Sequence, residues 1–187
     1  DYLGRISRTD WIDGGDRTGK GRLYRFADEN VKLDPKWAKA ADELAAGFDR
    51  LTTARLVELL EHPDQRIRLE AQFALVEKKA VAELESVALN SKHQLARLHA
   101  IWGIGQLGRK DHSHLLGLMP LLEHEDAEVR SQTAKVFADA EPLDAAREQI
   151  LALLEDENLR VRYFAVTACG TFRDPAMAEP LLKVLRE

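Results

Sequence analysis

The sequence predicts an all-α fold, an α-solenoid of about four helix pairs plus a truncated fifth, preceded by a short β-hairpin segment. Three observations predict it. A ten-residue pattern returns along the chain, as LLEHPDQRIR ending at Arg68, ALNSKHQLAR ending at Arg97, LLEHEDAEVR ending at Arg130 and LLEDENLRVR ending at Arg162. These arginines stand 29, 33 and 32 residues apart, a period that belongs to stacked helix pairs in which each unit buries its apolar face against its neighbours. The composition, 45% apolar and 32% charged over 187 residues, is that of a soluble globular chain able to bury a core.

The elements follow in order. Residues 1–30 include DYLGRISRTDWIDGGDRTGKGRLYRF, short apolar and aromatic runs around a glycine-rich turn, which read as a strand pair. A lone hairpin is marginal in water, so this segment must lean on the solenoid or be the tail of a larger sheet. Residues 31–50 are a linker and capping helix, with Asp34 as N-cap and Pro35 in the first turn of a helix through about Phe48. Residues 51–187 are the solenoid. In its first unit Leu56, Leu59 and Leu60 fall at i, i+3, i+4, the pattern of a one-sided helix A, and Pro63 closes it. Four residues before each marker arginine stand Asp64, His93, Asp126 and Asn158; three of these are good N-caps for helix B.

Helix B of the last full unit, with Val161, Tyr163, Phe164, Ala165, Val166, Ala168 and Cys169, has almost no polar face and is expected in the inner layer. Eight residues past each arginine come Val76, Gly105, Ala138 and Gly170, a mostly small column suited to close helix packing. A fifth copy opens at Leu181 and Leu182 and is cut off at Glu187, so the array is expected to continue in a longer parent.

The recurring Leu-Leu, acidic turn, Val-Arg and following alanine resemble the HEAT repeat family. That resemblance implies pairing between a turn acid and a helix B arginine, best matched here by Asp156 and Arg162. The runs HPDQRIRLEAQFAL, ARLHAIWGIGQLG and EVRSQTAKVFADA are also similar to the HEAT segment of large secreted bacterial dehydrogenase-like, c-type haem-binding proteins. Such proteins place a β-propeller before the array and a cytochrome c domain after it. The resemblance implies protein partners (the neighbouring propeller or a redox domain), haem c elsewhere in the parent, and a periplasmic or secreted location. It also suits residues 1–30 as closing propeller strands.

Direct chemistry is sparse. Gly14, Gly19 and Lys20 fit part of a phosphate-binding loop, but Gly21 replaces the hydroxyl residue and a strand rather than a helix is expected next. His112 and His114 read as solvated linker, and the turn histidines His62 and His124 sit on separate units, so no metal site is expected. The single cysteine, Cys169, excludes an intrachain disulfide, and the chain has no C-x-x-C-H haem motif. No nucleophile stands at a recognisable spacing from a base, so oxidoreductase activity, if any, belongs to the parent. No apolar run is long enough to span a membrane. The chain begins without a basic and apolar leader, which marks a mature product or an excised piece.

The candidate interaction surface is His99, Trp102, Arg68, Arg97, Arg130 and Arg162. His99 and Trp102 stand beside Gly103, Gly105 and Gly108, where a partner backbone could approach; the plainer reading of His99 is a hydrogen-bonded packing residue. The arginine column either ties neighbouring turns together or binds an anion or nucleic acid along a concave face. A net charge of -5 and the lack of interleaved aromatics favour the first. The expected function is a non-catalytic scaffold and protein-interaction module.

Overall fold

A computed structural model describes residues 35–184 and 186; the expected hairpin, its propeller-like closing strands and the Gly14–Lys20 loop lie outside them. Helix α1 (Pro35–Ala46) ends at Gly47, whose φ of 76° is the left-handed conformation that a residue with a Cβ resists. Phe48 then turns into the interior, 6% exposed.

Four helix pairs follow. The first is α2 (Thr53–Leu59) and α3 (Gln65–Glu77). The second is α4 (Val81–Asn90) and α5 (Gln94–Gly108). In the third a 3-10 segment, His112–Glu123, stands where helix A was expected, and α6 (Ala127–Ala138) is helix B. In the fourth, helix A is α7 (Arg147–Ala152) between short 3-10 turns at Asp144–Ala146 and Leu153–Glu155, and helix B is α8 (Leu159–Thr171). After the turn Pro175–Met177, α9 (Ala178–Val184) occupies the helix A position of a fifth unit. Pro120 lies inside the third unit's 3-10 segment; a proline there removes a backbone donor and disfavours a regular α-helical ladder.

The one-sided pattern of helix A is realised: Leu56 and Leu60 are fully buried, and Leu59 nearly so. With Ile67, Leu75, Leu84, Ile101, Ile104, Leu115, Leu118 and Leu122 they form one apolar interior running from unit to unit. Each such side chain contributes about 2 kcal/mol by leaving water. Asp64, Asp126 and Asn158 cap α3, α6 and α8 by accepting from backbone N–H groups at 2.8, 2.8 and 2.9 Å, each worth about 1 kcal/mol. His93 makes no side-chain cap.

Three expectations change. His112 and His114 open the 3-10 segment rather than occupying a linker, because Asp111 caps it through the Ser113 N–H. Helix α8 is buried on one side only; Leu159, Tyr163 and Val166 are 71%, 65% and 36% exposed. The small column serves close packing at Gly105, where a Cβ would lie 2.8 Å from both Val136 methyls, but Gly170 faces open space. Cys169 is fully buried on α8, and that burial pushes its thiol up to about 11. Among the described residues no helix is long and apolar enough to cross a membrane.

Candidate functional site, the arginine ladder and the helix B face

Each helix B begins with the same device. The residue six before the marker arginine is His62, Ser91, His124 or Asp156, and its side chain accepts from the N–H two residues on, at 3.0, 3.1, 3.0 and 2.8 Å. The arginine then folds back and donates to the carbonyl of that same residue, at 2.6 Å (Arg68 to His62), 2.6 Å (Arg97 to Ser91), 2.7 Å (Arg130 to His124) and 3.1 Å (Arg162 to Asp156). The guanidinium thus satisfies carbonyls at the end of helix A that have no partner within the helix. The glutamate, histidine and aspartate of LLEHPD therefore form a turn, with His62 and Asp64 as acceptors of backbone N–H. Arg66, donating from its side chain and backbone, holds the Asp64 carboxyl down to about 2. Among the described residues no three potential ligands gather to hold a metal.

The first three arginines also reach forward one unit. Arg68 Nε donates to His99 Nε2 at 3.3 Å, Arg97 lies 2.5 Å from His124 Nε2, and Arg130 grips Asp156 with two hydrogen bonds of 2.7 and 3.0 Å. This corrects the expected pair: Asp156 bonds Arg130 of the preceding unit, while Arg162 takes only its backbone carbonyl. The reason is geometric, since Arg130 occupies both carboxylate oxygens of Asp156, while Arg162 of the same turn donates to the Asp156 carbonyl. Burial alone would raise the Asp156 carboxyl, but the Arg130 hydrogen bonds and the Asn158 N–H outweigh it and hold it below its ordinary value.

His99 lies in the interior, 3% exposed. Because Nε2 accepts from Arg68, the proton resides on Nδ1 and is donated to Gln72 Oε1 at 2.8 Å. Both donors and acceptors are satisfied only by the neutral ring. Desolvation, and then the Arg68 charge, lower its pKa to about 4. The ring meets Trp102 edge-on at 5.0 Å. Trp102 Nε1 donates to Gln132, Gln132 to Glu128, and Arg160 to the other Glu128 oxygen, at 2.8, 2.9 and 2.8 Å. A continuous path of polar and aromatic contacts thus joins α3, α5, α6 and α8.

Of the six candidate residues, the structure brings Arg68, His99 and Trp102 together and sets Arg97, Arg130 and Arg162 one unit apart each. Sequence reasoning missed Gln72, Glu128 and Gln132. For Gln72 and Gln132 the signal was faint, a glutamine on the buried side of a helix B. It also missed Leu69, Phe73 and Leu95, which are 36%, 40% and 41% exposed on α3 and α5. Phe73 and Trp102 both stand five residues past their arginines, so they occupy equivalent positions on adjacent helices.

No curated protein matches the chain. Among solved structures, a designed armadillo repeat protein in complex with the peptide (KR)4 is 18% identical, with 78% of this chain and 73% of that one covered and a TM-score of 0.48. An engineered protein is 19% identical, with 82% and 74% covered and a TM-score of 0.45. Residues 115–187 match the family model for HEAT repeats.

Proposed function

We propose that this array is a non-catalytic scaffold and protein-interaction module, and that it forms the HEAT segment of a larger dehydrogenase-like or c-type cytochrome-containing protein. The observation that carries the first half is the helix B face. Leu69, Phe73 and Leu95 stay exposed beside Trp102, whereas the neighbouring marker arginines are held by turn carbonyls. Exposed apolar and aromatic groups on a rigid helical support suit a protein partner. An anion or nucleic-acid partner needs free cations, and Arg68 is 7% exposed.

The second half rests on the sequence resemblance. It implies a β-propeller or redox domain as the partner, haem c elsewhere in the polypeptide and a periplasmic or secreted location for the whole. Cross-linking mass spectrometry on the natural polypeptide tests both halves. Cross-links from Lys78 and Lys79, at the end of α3, to a propeller domain are expected, with covalent haem on the same polypeptide. A natural polypeptide lacking both domains overturns the parent assignment. Tight binding of a labelled DNA duplex by the 187-residue chain, weakening steeply between about 50 and 200 mM salt, overturns the protein-interaction reading. Dye-reduction assays with sugars are expected to show no turnover by this chain alone.

A further inference from the structure

Donors and acceptors balance at two of the three junctions. At the first, the His99 ring faces one donor, Arg68, and one acceptor, Gln72 Oε1, so a single neutral tautomer satisfies both. At the third, the Asp156 carboxylate takes Arg130 at both oxygens and the Asn158 N–H at one, and it has lone pairs for all three. His62, in the turn of the first unit, is balanced as well. Its Nδ1 accepts from the Asp64 N–H, and its Nε2 faces the Glu43 carboxylate at 3.5 Å.

The second junction does not balance. His124 Nδ1 lies 3.0 Å from the Asp126 N–H, and its Nε2 lies 2.5 Å from an Arg97 amine. Both neighbours can only donate, and a neutral imidazole has one lone pair to offer them. Neither donor is free to leave. The other Arg97 amine donates to the Ser91 carbonyl at 2.6 Å, and Asp126 is fixed at the opening of α6, where its carboxylate caps the helix.

The surroundings of this joint are open on one side and tight on the other. A cleft lined by Trp102, Gln106, Arg109, Lys135 and Asp139 lies between α5 and α6, and Arg109 and Asp139 face each other at 3.7 Å, beyond hydrogen-bond distance. Gly105 sits directly against the Val136 side chain. The first helix of unit 3 is the 3-10 segment, whose hydrogen bonds have poorer geometry than those of an α-helix.

We propose that His124 is a two-state joint at which the array bends between its second and third units. With the proton on Nδ1, the ring accepts from Arg97, closes the junction and releases the Asp126 N–H. With the proton on Nε2, it accepts from the Asp126 N–H and releases Arg97, and α6 tilts from α5 about the Gly105–Val136 contact. The cleft beside Trp102 widens and narrows with that motion. The joint stands whether or not the Phe73–Trp102 face binds a protein.

Two measurements on the 187-residue chain test this. Imidazole nitrogen NMR at about pH 8, where a histidine is ordinarily neutral, reads the tautomer, with the His124 signals assigned by their loss in His124→Asp. Both tautomers are expected, the minor one above about 10%, and Arg97→Met is expected to move the ring to the Nε2–H form. A single tautomer in the native chain, or populations unchanged by Arg97→Met, overturns the proposal. Spin labels at the exposed positions 61 and 167, placed by Glu61→Cys and Thr167→Cys, span the junction; labels placed by Glu61→Cys and Lys110→Cys lie on one side of it. His124→Asp supplies the carboxylate that the third junction has. It is expected to narrow the distance distribution of the spanning pair by about one third and to leave the other pair unchanged. A spanning distribution that keeps its width, or two that narrow alike, removes the bend from this joint.

Discussion

The first and third junctions of the array use the same arginine for opposite electrostatic ends. At the first, Arg68 donates to a neutral imidazole, His99, which passes its own proton to Gln72. At the third, Arg130 meets the Asp156 carboxylate in a two-point ion pair whose side chains are 12% and 7% exposed. The arginine's constant task is local, satisfying the carbonyls of its own turn, and that fixes its register. What it meets in the next unit is free to vary, so one architecture carries both a charge-neutral and an ionic joint.

The largest expected effect breaks the ionic joint. Arg130→Ala leaves a buried carboxylate without its cation and is expected to cost about 3–5 kcal/mol in urea unfolding. Arg68→Ala leaves neutral acceptors without a donor and is expected to cost about 1–3 kcal/mol. Equal losses would remove the distinction between the joints.

Acid sharpens it next. The His99 pKa lies near 4 in the folded chain, below the ordinary value of about 6.5, so the unfolded chain binds more protons in between. Its stabilising contribution is complete above about pH 6.5 and is lost as pH falls towards 4, on the order of 3 kcal/mol in all. Urea midpoints measured across this range are expected to fall with pH in the native chain and to fall less in His99→Gln. Asp156 is held below the ordinary carboxylate value, so the ionic joint keeps its strength through that window and weakens only at lower pH.

A smaller pair of changes separates a closed junction from an open face. Gly105→Ala forces a Cβ onto the Val136 methyls and is expected to destabilise by about 1–3 kcal/mol. Gly170→Ala meets nothing and is expected to stabilise by up to about 1 kcal/mol through helix propensity. Thermal melts of the two variants should move in opposite directions. The smallest effect lies at the ends of the first and last helix B, where Lys79 and Arg173 hold φ values of 53° and 49°. Replacing either with glycine relieves left-handed strain and is expected to raise stability by about 0.5 kcal/mol.

Much of the array was legible because its constraints are local. Leu56, Leu59 and Leu60 announce their helix by spacing, and Asp64, Asp126 and Asn158 announce their caps by position. The partner of each arginine was not legible, because it lies 26 to 31 residues away and is a ring at two junctions and a carboxylate at the third. The burial of His99 depends on Gln72 from another helix, which no window of sequence contains. The winding of the third unit's first helix was hidden because its leucine pattern tolerates either an α or a 3-10 path, and Pro120 tips it towards the latter.

The sole thiol has a practical consequence. Cys169 is sealed within the interior and resists ionisation well into the alkaline range, so alkylating reagents at neutral pH should pass it by. A cysteine introduced on the solvent side of any helix would then be the one nucleophile to take a dye or spin label. Distances along this array could be mapped without first deleting the native sulfur.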